Sequence, residues 1–436
     1  PGLSVTTSDI RVKYGGFPRL VTLANELISN ASTPNILKLH AGDALTGTSY
    51  YTLFKGSADA EMMSHLCFDA FALGNHEFDH GDASLATFID ELHNKSACPG
   101  TPVLAANVVP GASSALQGKI LPSTIKTFDD GEKVGIVGID IKAKTEMGSS
   151  PSPGTTLTDE AATAQAAIDA LLSTGVDKIV LLTHIGRAND MAWMAKLRGV
   201  DIIIGGDSHS LLSSPDTAQT LGAAAEALYP TELTNADGKK VCIAQAWEYG
   251  HGLGQLQVSF DASGDVTSCS GHPTFPFDST SYEDRTNGKV PLSAADASVV
   301  TAWLEAKPEF VAAAEDNATK AALDQFKDQV EVLKTATIAS VPADICYDRF
   351  PGQGRSSVCS IADTQKHGGG ACQLVTEGFL HVTPSADIAI QNAGGCRTDI
   401  RQGNFTFNDA FTLLPFANSL VTFEMTGAQI HAVLED

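Results

Sequence analysis

Over roughly the first 260 residues, short apolar runs alternate with amphipathic stretches, and several of the runs end in a glycine-bearing polar turn. An apolar run of four to eight residues suits a buried strand, whereas apolar residues recurring every three to four positions suit a helix packed on one face. Alternation of the two predicts an α/β layered fold, in which the strands deliver their last residues to one edge of a sheet. Strands are predicted over 35–40, 70–73, 103–106, 133–139, 178–183, 201–204, 241–246 and 254–261, and helices over 58–66, 82–93, 158–173 and 190–197. The stretch 267–289 is rich in Ser, Pro, Asp and Gly and reads as a connection. Residues 293–335 read as one or two polar helices capped by Ser293 and interrupted near Pro308 and Asn317. From about Ala336 the texture shifts to glycine-rich loops, cysteines and short strands, one of them over 387–390. A chain of 436 residues exceeds one ordinary domain. The expected division is a first domain over 1–270, a linker with helices over 271–335, and a second, incomplete domain over 336–436.

Charge narrows the partners. With 51 acidic and 28 basic residues the net charge is −23, and no Lys/Arg cluster offers a face to a nucleic acid. An acidic surface also repels anions, so any phosphate must be held locally, by a metal or by a few placed arginines. No apolar run is long enough to span a membrane. Eight cysteines without a Cys-x-x-Cys pair fit disulfides better than a zinc knuckle, and sequons at Asn30, Asn94, Asn317 and Asn404 add to a secreted or extracellular reading.

Five polar motifs fall at predicted strand ends: Ala41-Gly42-Asp43, Gly74-Asn75-His76-Glu77-Phe78-Asp79, Thr183-His184-Ile185-Gly186, Gly205-Gly206-Asp207-Ser208-His209 and Tyr249-Gly250-His251-Gly252. Carboxylates, an amide and imidazoles together make the ligand set of a mixed oxygen and nitrogen divalent site. Asp79, three residues after His76, is placed to hold that imidazole in one tautomer.

These motifs, in this order and spacing, resemble the 5'-nucleotidase family of calcineurin-like metallophosphoesterases, and the likeness runs from about Tyr14 to Asp436. The resemblance implies a four-layered α/β/β/α metallophosphoesterase sandwich, joined by a helical linker to a smaller α/β substrate-binding domain. It implies two divalent metal ions, zinc with manganese or magnesium as alternatives. Asp43 would bridge them, Asn75, His184 and Asp207 would bind the second, and His209 the first. His76, oriented by Asp79, would steady the transition state. In the second domain, Gln391-Asn392-Ala393-Gly394-Gly395-Cys396-Arg397 resembles the family's glycine-rich loop. Arg355 resembles its other nucleotide-contacting arginine, and Phe416 in Leu414-Pro415-Phe416 its base-stacking ring. Cys396, in a usually aliphatic place, would pair with Cys372 or Cys359.

The sequence departs from the family in two places. Asp207 stands where the family usually has histidine, a swap that shifts preference from zinc towards manganese or magnesium. The family's opening Asp-x-His pair has no counterpart, since Asp9 is followed by Ile10 and Arg11. The expectation is a fragment trimmed at both ends, the alternative a parent that has lost its first metal. The implied activity is release of phosphate from nucleoside 5'-monophosphates. The alternatives are hydrolysis of 2',3'-cyclic nucleotides or nucleotide sugars, or a non-catalytic secreted glycoprotein that keeps the fold. The expected partner is a nucleotide, with no nucleic acid; a homodimer is left open.

Overall fold

A computed structural model describes residues 9–95, 98, 100–286, 290–349, 354–416, 418 and 420–435. The chain divides into two compact units: residues up to Thr46 with Leu53–Gln329, and Gly47–Thr52 with the residues from Val330 onward.

The first unit is built on a six-stranded sheet. Its order is Thr231–Thr234, Lys240–Ala244, Ile202–Gly205, Ile179–His184, Lys133–Asp140 and Ser123–Thr127. The four inner strands run parallel, and the two edge strands are antiparallel to their neighbours. The central strand IVLLTH is buried along its whole length, as expected of a parallel strand covered on both faces. Register sets Thr183 beside Gly205 and His184 beside Asp140, so the polar ends of three strands share one edge.

A three-stranded parallel sheet, Leu39–His40, Ala70–Ala72 and Val103–Leu104, packs against it. Ala70, Ala72 and Leu104 meet Val134, Ile136, Val180 and Leu182 in the layer between the sheets. On the far face of the large sheet, the helix Glu160–Ser173 buries Ala164, Ile168 and Leu171 against Ile139, Leu181, Ile203 and Ile243. Asp159 starts that helix, its side chain accepting from Ala162 N. On the far face of the small sheet, Phe88 of the helix Gly81–His93 meets Phe71 edge-on at 6.0 Å. Helix, sheet, sheet, helix is the expected sandwich. Each fully buried Leu, Ile or Phe contributes roughly 1.5–3 kcal/mol to holding it.

The stretch 267–289 corrects the sequence reading, because most of it is the strand Val266–Asp284. It pairs with Leu253–Phe260, Ile10–Tyr14, Val290–Pro291 and Phe310–Ala312. Its serines and prolines suggested a loop, but Phe275 and Phe277 are fully buried beside Val300, Leu304 and Phe310. The alternating aromatic pair was the signal that the composition hid. The helices Ala294–Glu305, capped by Ser293, and Asn317–Thr335 follow, and residues up to Gln329 pack as part of the first unit.

The second unit pairs Thr337–Val341 with Gly403–Thr406 and adds the helices Gly370–Val382, Phe407–Leu413 and Gly427–Glu435. Its core gathers Tyr347, Ala371, Val375, Cys396, Ile400 and Leu413. The strand expected over 387–390 does not form; Ile388 and Ile390 are more than half exposed there. All eight cysteines are paired: Cys67–Cys98, Cys242–Cys269, Cys346–Cys359 and Cys372–Cys396. Of the two partners expected for Cys396, Cys372 is the one observed. Among the described residues no helix is long and apolar enough to cross a membrane.

Candidate active site

His184 ends the central strand, buried to 2% exposure, and its surroundings explain the glycines. Its Nδ1 donates to the Ala41 carbonyl at 2.6 Å, which leaves Nε2 as the nitrogen that faces the site. Any side chain at Gly74 would collide with Asp43 Oδ1 and with the His184 ring. A Cβ at Gly206 would lie 2.5 Å from the Ala41 oxygen and 2.7 Å from His184 Nδ1. Two of the motifs thus need glycine because they close tightly around one imidazole.

Asp43 leaves the small sheet in a left-handed conformation, φ 56°, uncommon for a residue with a side chain. Its Oδ2 stands 2.9 Å from His184 Nε2, and its Oδ1 accepts from His76 N at 2.9 Å. Glu77 braces this turn: its carboxylate accepts from the backbone nitrogens of Asp43, Ala44, Leu45 and Gly74. Burial, and then the Asp43 charge, push its pKa up to about 7. Burial alone would lower the His184 pKa, but the adjacent Asp43 carboxylate outweighs it and raises the value to about 10.

The short helix Asn75–Phe78 carries the remaining parts of that motif. Asn75 is buried. His76 Nδ1 donates to Asp79 Oδ2 at 2.8 Å, and His76 Nε2 lies 4.0 Å from Asp43 Oδ2. Asp79 Oδ1 in turn accepts from Ser149 Oγ at 3.0 Å. The three side chains form a chain of contacts that sets the plane of the His76 ring.

Asp207 and His209, φ 68° and 52°, both adopt the left-handed conformation that side chains usually avoid. Asp207 lies in the electrostatic reach of His184, but its Oδ1 accepts from Lys144 Nζ at 2.5 Å. His209 Nδ1 sits 3.0 Å from Glu248 Oε2. The sequence placed Asp43, Asn75, His184 and Asp207 in one small volume. Asp43 and His184 meet there, with His76 close by, whereas Asp207 and His209 are engaged with side chains outside the proposed ligand set. Among the described residues no three His, Cys, Asp or Glu side chains already form a metal cage. The donor chemistry nevertheless fits a divalent ion. The buried His184 Nε2 makes no well-directed hydrogen bond, yet it faces a carboxylate oxygen at 2.9 Å. A lone pair opposite a carboxylate calls for a proton or a cation between them.

In the second unit, the Arg397 guanidinium lies 5.6 Å from the centre of the Phe416 ring, a cation–π approach, and donates to the Gly394 carbonyl at 3.5 Å. The Cys372–Cys396 bridge anchors the residue next to Arg397. Asn392, exposed, accepts from Gln391 Nε2 at 2.9 Å. Arg355 donates to the Arg349 and Gly354 carbonyls at 2.7 and 2.9 Å. Arg397 and Phe416 are therefore neighbours, while the two carbonyls that accept from Arg355 lie close to it in the chain.

Glu77, Lys144, Ser149 and Glu248 escaped the sequence reading. Glu77 was within a quoted motif, and its spacing from Gly74 is that of a helix-capping glutamate. Lys144 lies in the helix Lys142–Gly148 and Ser149 caps its end, and the approach of that helix to the site is revealed only by tertiary structure.

Comparison with known proteins places the chain in a family. Residues 5–211 match the calcineurin-like phosphoesterase family, and residues 349–436 the 5'-nucleotidase C-terminal domain. The chain is 37% identical over 444 residues to the "Probable 5'-nucleotidase" of Treponema pallidum, covering 100% of this chain and 72% of that protein. It is 34% identical over 436 residues to the NAD 5'-nucleotidase of Haemophilus influenzae, covering 100% of this chain and 70% of that protein. The fold superposes on a 5'-nucleotidase precursor from Thermus thermophilus with a TM-score of 0.78 at 32% identity, covering 97% of this chain and 73% of the other. The chain belongs to the 5'-nucleotidase family of metal-dependent phosphoester hydrolases.

Proposed function

We propose that the protein releases inorganic phosphate from nucleoside 5'-monophosphates, with Asp43, Asn75, His184, Asp207 and His209 as ligands of two divalent ions. The observation that carries this reading is the pairing of Asp43 with the buried His184, with the His76–Asp79 dyad beside it. Bound divalent ions would supply Lewis-acid stabilisation of the phosphoryl charge and activate water as nucleophile. Zinc, manganese and magnesium are all compatible with the oxygen and nitrogen donors, and the Asp207 carboxylate favours the harder two.

The chain's own residues do the rest. Asp79 accepts a hydrogen bond from His76 Nδ1, so Nε2 is the nitrogen that would approach the phosphoryl group. A protonated His76 neutralises charge as the ester bond breaks, a contribution typically worth 10²–10⁴-fold. Ser149 restrains Asp79, and through it His76. Arg355 and Arg397 suit an anionic group, Asn392 a ribose or base edge, and Phe416 a base face. The disulfides suit an oxidising compartment, and the sequon asparagines Asn30, Asn94, Asn317 and Asn404 are all exposed; both support a secreted glycoprotein.

The test is hydrolysis of AMP, 2',3'-cyclic AMP, a nucleotide sugar and NAD, each with and without a chelator, read by phosphate release for AMP and by separation of the nucleotide products for the other three. Chelator-sensitive release from AMP that His76→Ala abolishes supports the reading. Turnover of the cyclic nucleotide alone, or full activity in His76→Ala, refutes it.

A further inference from the structure

The motif Tyr249-Gly250-His251-Gly252 remains without a role in the reaction as described. The loop that contains it, Trp247 to Gly252, lies between the strands Lys240–Ala244 and Leu253–Phe260. An isolated antiparallel bridge joins Leu211 to Ala246. Counting outward from that bridge sets residue 210 opposite 247 and His209 opposite Glu248. The two chain segments are also laced together by Gln245, whose Oε1 accepts from Ser210 N at 2.5 Å and whose Nε2 donates to the Gly206 carbonyl at 2.8 Å. Glu248 is thus delivered to His209 by register, and its Oε2 stands 3.0 Å from His209 Nδ1, both side chains being about three-quarters buried.

Two further observations mark the loop as shaped for a purpose. Trp247 and Tyr249, on either side of Glu248, hold φ at 69° and 51°, and His209 itself holds 52°. Left-handed conformations at large aromatic residues persist only where the surroundings enforce them, and they gather at functional sites. The Tyr249 ring meets the His209 ring edge-on at 5.1 Å, which limits rotation of the imidazole from the other side. Within the loop, His251 packs on Trp247 at 4.9 Å and on Tyr14 at 5.1 Å.

The geometry points to Glu248 as a positioning residue for the metal centre: it holds the proton on His209 Nδ1 and so presents Nε2, with Tyr249 restraining the ring, to the first divalent ion. Metal-ligating histidines commonly lean their second nitrogen on a carboxylate, which sets tautomer and orientation. The inference rests on the proposed role of His209 as a ligand. It also gives Glu248, which belongs to none of the motifs read from the sequence, a stated place in the site.

Two measurements on the purified full-length protein test it. In the metal-free protein at pH 8, nitrogen NMR of labelled histidine, assigned with His209→Gln, reads the His209 tautomer. The expected result is a proton on Nδ1 that is lost from that position in Glu248→Ala. The second measurement is the affinity for zinc and for manganese, each titrated against a competing chelator. Glu248→Ala is expected to weaken the more weakly held ion by about 10–100-fold, the loss usual for removing such a partner. Glu248→Gln, whose amide oxygen still accepts, is expected to stay within about threefold of the parent by the same argument. Weakened binding in His209→Ala with none in Glu248→Ala overturns the positioning role but leaves His209 a ligand. Unchanged binding in His209→Ala overturns the ligand reading itself. Equal loss in Glu248→Gln and Glu248→Ala also overturns the proposal, because it makes the carboxylate a ligand and not a brace.

Discussion

Asp43 and His184 face each other directly, whereas Asp207 and His209 each lean on a charged side chain outside the proposed ligand set. The first pair is held through the backbone of its own motifs: the Ala41 carbonyl on His184, the backbone nitrogens of the Asp43 turn on the Glu77 carboxylate, and glycines where a side chain would collide. The second pair is held by Lys144 and Glu248, long side chains reaching in from other elements. A backbone cradle leaves little room for adjustment, while a side-chain brace can be altered without disturbing the fold. The first side should therefore be intolerant of change and the second tunable.

The largest effect is expected at His184. His184→Ala removes the buried donor opposite Asp43, and kcat/KM for AMP should fall by on the order of 10³-fold or more, matching the several kcal/mol that Lewis-acid stabilisation supplies. Metal content by mass spectrometry should fall with it; retained metal with lost activity would separate the two roles. His76→Ala should cost about 10²–10⁴ in kcat and leave metal content intact, because His76 is read as acting on the phosphoryl group and not on the ion. Loss of metal in that variant would move His76 into the ligand set.

Smaller effects should mark the braced elements. Ser149→Ala removes one contact to Asp79, worth about 1 kcal/mol for an ordinary hydrogen bond, so a fewfold loss in kcat with unchanged KM is expected. A KM effect without a kcat effect would argue that Ser149 touches substrate instead.

The smallest effect lies away from the site. Asp201, 5% exposed, accepts from Ile179 N, and burial pushes its pKa up to about 7. A carboxyl raised on folding keeps its proton in the folded state while the unfolded chain loses one, so its contribution to stability falls as pH rises from about 4 to about 7. Asp201→Asn, which keeps an acceptor for Ile179, should therefore gain on the parent by a few degrees in Tm across that window. A constant difference between the two at all pH values would contradict the shift.

How much of this was legible in the sequence follows the same division. Asp43, His184 and the His76–Asp79 dyad announce themselves because each sits in a short motif whose glycines are demanded by local contact. Lys144, Ser149 and Glu248 do not, because nothing in their own neighbourhoods records what lies across the fold. Glu248 needed the bridge between Leu211 and Ala246 to become visible. The strand Val266–Asp284 was missed for a related reason. Ser, Pro and Asp signal a turn only when no partner strand supplies the backbone hydrogen bonds, and partnership is a tertiary property. In the second unit, spacing alone set neither arginine beside Phe416, yet Arg397 lies over its ring.

We propose that Asp43 and His184 share one cation. Crystals of the protein soaked in zinc or manganese, measured at the absorption edge of each metal, test it most directly. An anomalous peak is expected about 2.0–2.2 Å from both Asp43 Oδ2 and His184 Nε2, the usual bond lengths for such donors. A peak ligated by other side chains, with those two atoms still facing each other unbridged, would contradict it.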